Sequence, residues 1–141
     1  VKQALIDTDM LSYVFDRRYP EVNEKALQYL RVFRCFSISV VTLAESIKGI
    51  VNNSRSPQTL ADFMAKADTF ETFDVQRAEA ILAGNIMGAL LKNGQPIGPN
   101  DPFIAATAME NERVLITNNI KHYQRIVDLG FPLELENWRE Q

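Results

Sequence analysis

Acidic side chains punctuate this sequence where apolar runs end or helices begin: Ile6-Asp7-Thr8-Asp9, Thr42-Leu43-Ala44-Glu45 and Asn100-Asp101-Pro102-Phe103. A later segment, Leu115-Ile116-Thr117-Asn118-Asn119, has the same placement with neutral amides. Carboxylates gathered from distant parts of a chain repel one another unless something positive sits between them. A divalent metal with oxygen ligands fills that role most simply. The residue types therefore point to metal-assisted phosphodiester chemistry.

Each of these side chains also has a purely structural use. Asp7 or Thr8 can cap the following helix, and Asp9 suits a first turn, where the helix dipole favours an acid. Thr42-x-x-Glu45 has the form of a capping box, and Glu45 also stands near Lys48 as an ion-pair partner. Asp101 before Pro102 reads as an N-cap followed by proline at the first helical position. Asn118 and Asn119 can form a turn, and His122, the only histidine, reads as a surface residue. What these uses do not explain is why the acids recur near one edge of one sheet.

The elements that must position them follow from pattern and punctuation. Strands are expected over 3–7, 35–39, 70–73, 114–117 and 133–135. Helices are expected over 8–15, 21–33, 39–51, 57–67, 75–92, 101–111 and 120–127, with Asp74 capping the long one. Residues 52–56 read as a polar loop. Leu43, Ile47 and Ile50 form one apolar stripe, with Glu45 roughly opposite. Gly84-x-x-x-Gly88 reads as a site of close helix packing, and Tyr123, Phe131 and Trp138 as packing residues. Strands alternating with helices predict a single α/β domain over 1–141, three layers deep, with a central, mainly parallel sheet. Right-handed crossovers put the strand C-termini on one edge, which holds Asp7 and Thr117 to Asn119. Asp101 opens a helix, so its distance from Asp7 is not fixed by this reasoning.

At 141 residues with 46% hydrophobic and 23% charged residues, the composition is that of a soluble globular domain. The single cysteine, Cys35, lies in an apolar run and reads as a buried reduced thiol. No run reaches the roughly 20 apolar residues that span a bilayer. The early Asp7 and Asp9 do not suit a signal peptide, so the cytoplasm is the expected location. A net charge of −3 argues against general attraction to nucleic acid. Contacts of that kind must be local, with Arg17, Arg18, Lys48, Lys121 and Arg125 as candidates. Neither a nucleophile elbow nor a glycine-rich phosphate loop is present.

Taken together, the four segments resemble the PIN-domain family, and more narrowly the VapC-type toxins of prokaryotic toxin–antitoxin pairs. Ile6 to Leu11 resembles the opening motif, with Asp7 as its first acid. Ser39 to Glu45, followed by Gly49, resembles the second, with Glu45 as its acid. Gly94, Ile97-Gly98 and Asp101 with Ile104 to Ala108 resemble the third. Leu115 to Asn119, then His122-Tyr123 and Arg125-Ile126, resemble the fourth, and Glu136-Asn137-Trp138 looks like the family's usual ending. Many members carry aspartate where this chain has Asn119, which can ligate through oxygen or orient water but adds no charge. Asp9 stands where the family often has asparagine.

The resemblance implies an endoribonuclease dependent on Mg2+ or Mn2+. Asp7, Glu45 and Asp101 would hold the ion, directly or through its waters, with Asn119 in the catalytic set and Asp9 in support. Thr8, Lys48, Thr117 and Arg17 are the residues expected against the RNA substrate. The resemblance also implies a cognate small antitoxin and a homodimer. Two other readings stay open from the residues: a degenerate PIN domain that binds RNA or protein without cutting, and a haloacid-dehalogenase-type phosphatase with Asp7 as nucleophile. The second lacks the usual Thr or Val at Leu11 and a convincing downstream lysine.

Overall fold

The structure, a computed structural model, describes residues 2–53 and 56–140. Ser54 and Arg55, in the expected polar loop, lie outside the described residues. Among the described residues, five short strands alternate with helices: β1 (Ala4–Ile6), β2 (Ser37–Ser39), β3 (Glu71–Phe73), β4 (Val114–Ile116) and β5 (Leu135–Glu136). The helices are α1 (Thr8–Asp16), α2 (Pro20–Phe33), α3 (Val40–Asn52), α4 (Pro57–Ala67), α5 (Arg77–Lys92), α6 (Asp101–Glu110) and α7 (Ile120–Asp128). Among the described residues every strand pairing is parallel, in two sheets ordered β1-β4-β5 and β2-β3.

The sheets lie side by side, β2 next to β1. Tyr29 Oη accepts the Ala4 N–H at 2.9 Å and so occupies a β1 backbone donor without a strand ladder. Arg113 ties the two sheets together, donating to Ser37 Oγ at 3.3 Å and Glu71 Oε1 at 3.0 Å.

Alternation along the central strands divides the core in two. Ala4, Ile6, Val114 and Ile116 face a cluster with Met10, Leu11, Val22, Tyr29 and Trp138. Leu5 and Leu115 face the opposite way, against Ala83, Ile86, Leu90, Ile104 and Tyr123. Helices thus cover both faces of the sheet, giving the three-layer α/β/α arrangement.

Several local expectations are corrected. β2 begins at Ser37, and Cys35, half-buried, precedes it. Gln76, not Asp74, caps α5, its N–H donating to Glu79 Oε2 at 3.2 Å; proximity of a good capping acid is not enough when the chain stays extended past it. Asn100 is the N-cap of α6, with Asp101 already inside its first turn. The α3 N-cap is Ser39, so Thr42 and Glu45 form no capping box. Gly84 and Gly88 lie on the exposed side of α5, and a Cβ at either would meet open space. The last strand begins two residues later than expected, because Leu133 turns into the second core cluster.

Candidate active site

The site begins where β1 ends. The buried run Ala4-Leu5-Ile6 stops at Asp7, whose N–H continues the pairing by donating to the Ile116 carbonyl at 3.0 Å. Extended at φ −77 and ψ 172, Asp7 caps α1, Oδ1 accepting the Met10 N–H at 2.9 Å. Its other oxygen, Oδ2, accepts the Thr117 hydroxyl. That hydroxyl in turn accepts the Asn119 N–H at 2.9 Å, so the end of β4 and the end of β1 are locked together. Asp7 is only 4% exposed. Burial pushes its carboxyl up to about 7, against the pull of the Thr117 and Met10 donors, and the charges of Asp9 and Asp101 push the same way.

Glu45 enters from α3. Its Oε1 accepts the Thr8 hydroxyl at 2.6 Å and its Oε2 faces Asn100 Nδ2 at 3.4 Å, so both partners are neutral and Lys48 is neither of them. Asp101, in the first turn of α6, stands against the Tyr123 hydroxyl, 3.3 Å from Oδ1. Burial raises the Asp101 carboxyl, Tyr123 draws it down, and Glu45 pushes it up. Tyr123, buried beside Asp101 and Asp7, has its phenol held well above the usual range and so remains a proton donor. Asn119 opens α7, its Nδ2 lying 2.9 Å from His122 Nδ1.

Asp7, Asp9, Glu45, Asp101 and Asn119 line one cavity of about 160 Å³, with Thr8 and Tyr123 in its wall. Asp101, whose distance from Asp7 the sequence left open, is therefore brought to it, and Asn119 stands at the shared edge where the topology put it. A larger groove of about 490 Å³ between α1, α3 and α4 shares Thr8, Asp9 and Glu45 with this cavity. Leu11, Phe15, Ile50 and Phe63 supply its apolar surface.

The donors are all oxygen, and burial and mutual repulsion resist ionisation of Asp7 and Asp101; a hard divalent cation relieves both penalties. Among the described residues no three acids converge closely enough to enclose an ion by themselves. Mg2+ takes only one or two carboxylates directly and keeps several waters, so it does not need three converging acids. On this ground the residues fit such an ion.

Of the candidates for substrate contact, only Thr8 lines this cavity. Thr117, expected against the substrate, has no exposed surface, and its hydroxyl is committed to Asp7. Thr8 does reach the cavity, where it holds Glu45. Arg17 and Lys48 are exposed and line neither cavity nor groove. Asn118 turns away, accepting from Asn137 Nδ2 at 3.2 Å. Tyr123 and Asn100 were missed as site residues. The four-residue step from Asn119 to Tyr123, one helical turn, was the available signal for the first; nothing local marks the second.

A parallel sheet covered by helices on both faces, with an acidic oxygen-lined cavity at its strand C-termini, defines the class of this protein. Residues 4–127 match the PIN domain model. The chain is 31% identical over 125 residues to ribonuclease VapC1 of Haemophilus influenzae strain R2866, covering 89% of this chain and 92% of that one. It is 32% identical over 101 residues to the tRNA(fMet)-specific endonuclease VapC of Salmonella typhimurium, covering 72% and 74%. Its fold overlays the solved structure of VapBC-1 from nontypeable Haemophilus influenzae with a TM-score of 0.79 and 27% identity, covering 97% and 98%. The chain belongs to the PIN-domain family.

Proposed function

We propose that this protein is a metal-dependent endoribonuclease, the toxin of a toxin–antitoxin pair, that hydrolyses RNA phosphodiester bonds in the cytoplasm. The observation that carries the reading is the single cavity lined by Asp7, Glu45, Asp101 and Asn119, in a chain similar along most of its length to ribonucleases of the VapC type.

Asp7 and Asp101 are the residues to hold Mg2+ or Mn2+ directly, with Glu45 acting through water and Asp9 adding charge at the rim. A bound divalent ion supplies a water of lowered pKa and neutralises charge on phosphoryl oxygens. Thr117 and the Met10 N–H fix the Asp7 carboxylate from behind. Thr8 fixes Glu45. Asn119 presents a neutral amide that can orient water or a phosphate oxygen without adding to the repulsion among the acids. The expected products carry a 5′-phosphate and a 3′-hydroxyl. An antitoxin would silence the site by placing an arginine fork on its carboxylates, and the toxin itself is expected to form a homodimer, as the family resemblance implies.

Incubation of the antitoxin-free protein with total cellular RNA tests this, with Mg2+, Mn2+ or chelator and an Asp101→Ala control. Discrete fragments that require metal and Asp101 are expected. RNA bound but left intact by the folded protein in every lane would replace this reading with that of a non-catalytic binding module.

A further inference from the structure

Tyr123 is 1% exposed and its ring packs with Ile104 and Leu115 in the second core cluster. Its hydroxyl, however, comes out at the wall of the acid cavity, where it donates to Asp101 Oδ1 at 3.3 Å. A buried hydroxyl costs desolvation that a phenylalanine would avoid, so packing alone does not account for it. On the other side of the same carboxylate lies Gly98. A Cβ built there would stand 3.0 Å from Asp101 Oδ2, closer than the carboxylate could tolerate without moving.

We infer that Tyr123 and Gly98 are positioning residues for Asp101: the phenol holds one carboxylate oxygen and the bare Cα of Gly98 leaves room for the other. Both act from outside the acid cluster, Tyr123 from α7 and Gly98 from the loop before α6. The 3.3 Å contact is long for an O–H···O bond, and such bonds in empty sites commonly tighten when the site fills. This inference rests on the reading of the cavity as a metal site.

The test is Mn2+ titration calorimetry on the RNA-free protein, with Tyr123→Phe and Gly98→Ala beside wild type. Cleavage rates measured against Mn2+ concentration accompany it. Loss of the charge-assisted bond that holds a metal-binding carboxylate predicts Mn2+ binding about ten- to a hundredfold weaker in Tyr123→Phe. The Mn2+ concentration for half-maximal cleavage should rise by the same factor, while the rate at saturating Mn2+ changes less. Gly98→Ala, at a loop position of ordinary φ, should move in the same direction, and it carries the test if Tyr123→Phe folds poorly. Unchanged Mn2+ affinity in folded Tyr123→Phe and Gly98→Ala would overturn the inference. Wild type that binds no Mn2+ would overturn both this and the metal-site reading, whereas wild type that binds Mn2+ but cuts no RNA would remove only the nuclease reading.

Discussion

At the scale of single residues, Asp7 does two jobs that pull in opposite directions. It caps α1 and closes the β1–β4 end, both of which call for a fixed carboxylate, yet it is buried beside Asp9 and Asp101. A carboxyl whose folded pKa is about 7 against 3.8 when free holds its proton more tightly in the folded state. Its contribution to stability is therefore complete below pH 3.8 and is lost as pH rises through about 7. In chelator, the melting temperature should fall between these limits, where Asp7 is ionised in the unfolded chain but still protonated in the folded one. Asp7→Asn should flatten that fall and melt several degrees above wild type at pH 8. A wild-type profile as flat as that of Asp7→Asn would show that Asp7 ionises freely in the folded protein.

At the scale of elements, the sequence was most readable where local pattern and tertiary demand agree. The apolar triplets of β1 and β4 are buried on both faces and stand at the expected places. Asp7 at the end of the first and Thr117 to Asn119 after the second could be placed from topology alone. Elements whose limits depend on a particular side-chain pair or on other parts of the chain were less legible. The start of α5 is decided by the Gln76–Glu79 capping pair, three residues apart, and Asp74 gives no hint of it. The arrival of Asp101 beside Glu45 and Asp7 depends on how α6 packs between α5 and α3, a long-range fact that no local motif encodes. Gly84-x-x-x-Gly88 was misleading for a related reason: the motif permits close approach but does not say that a helix is there. Because a Cβ at either glycine meets nothing, Gly84→Ala and Gly88→Ala should each stabilise the protein by about 0.5–1 kcal/mol. Urea denaturation checks this, and a loss of stability would mean that the glycine face is covered in solution.

At the scale of the whole molecule, the three-layer fold of a chain of net charge −3 brings Asp7, Asp9, Glu45 and Asp101 around one cavity. The alternating faces of β1 and β4 are each sealed by a core cluster, leaving the strand C-termini as the place where polar chemistry can be exposed. The four sequence segments in their order were enough to indicate the PIN resemblance, and the family model now spans residues 4–127. The role of Tyr123 was hidden because its ring satisfies the core pattern completely, and only its hydroxyl belongs to the cavity.

The central claim, that these acids form one metal site, is tested most directly by thermal melting of wild type and Asp7→Asn at pH 8, in chelator and in saturating Mn2+. Wild type should gain several degrees with Mn2+, because an ion that binds only the folded state stabilises it. Asp7→Asn, already relieved of its buried charge and short of a ligand, should gain little. Equal Mn2+ shifts in the two proteins would place the ion elsewhere and contradict the account.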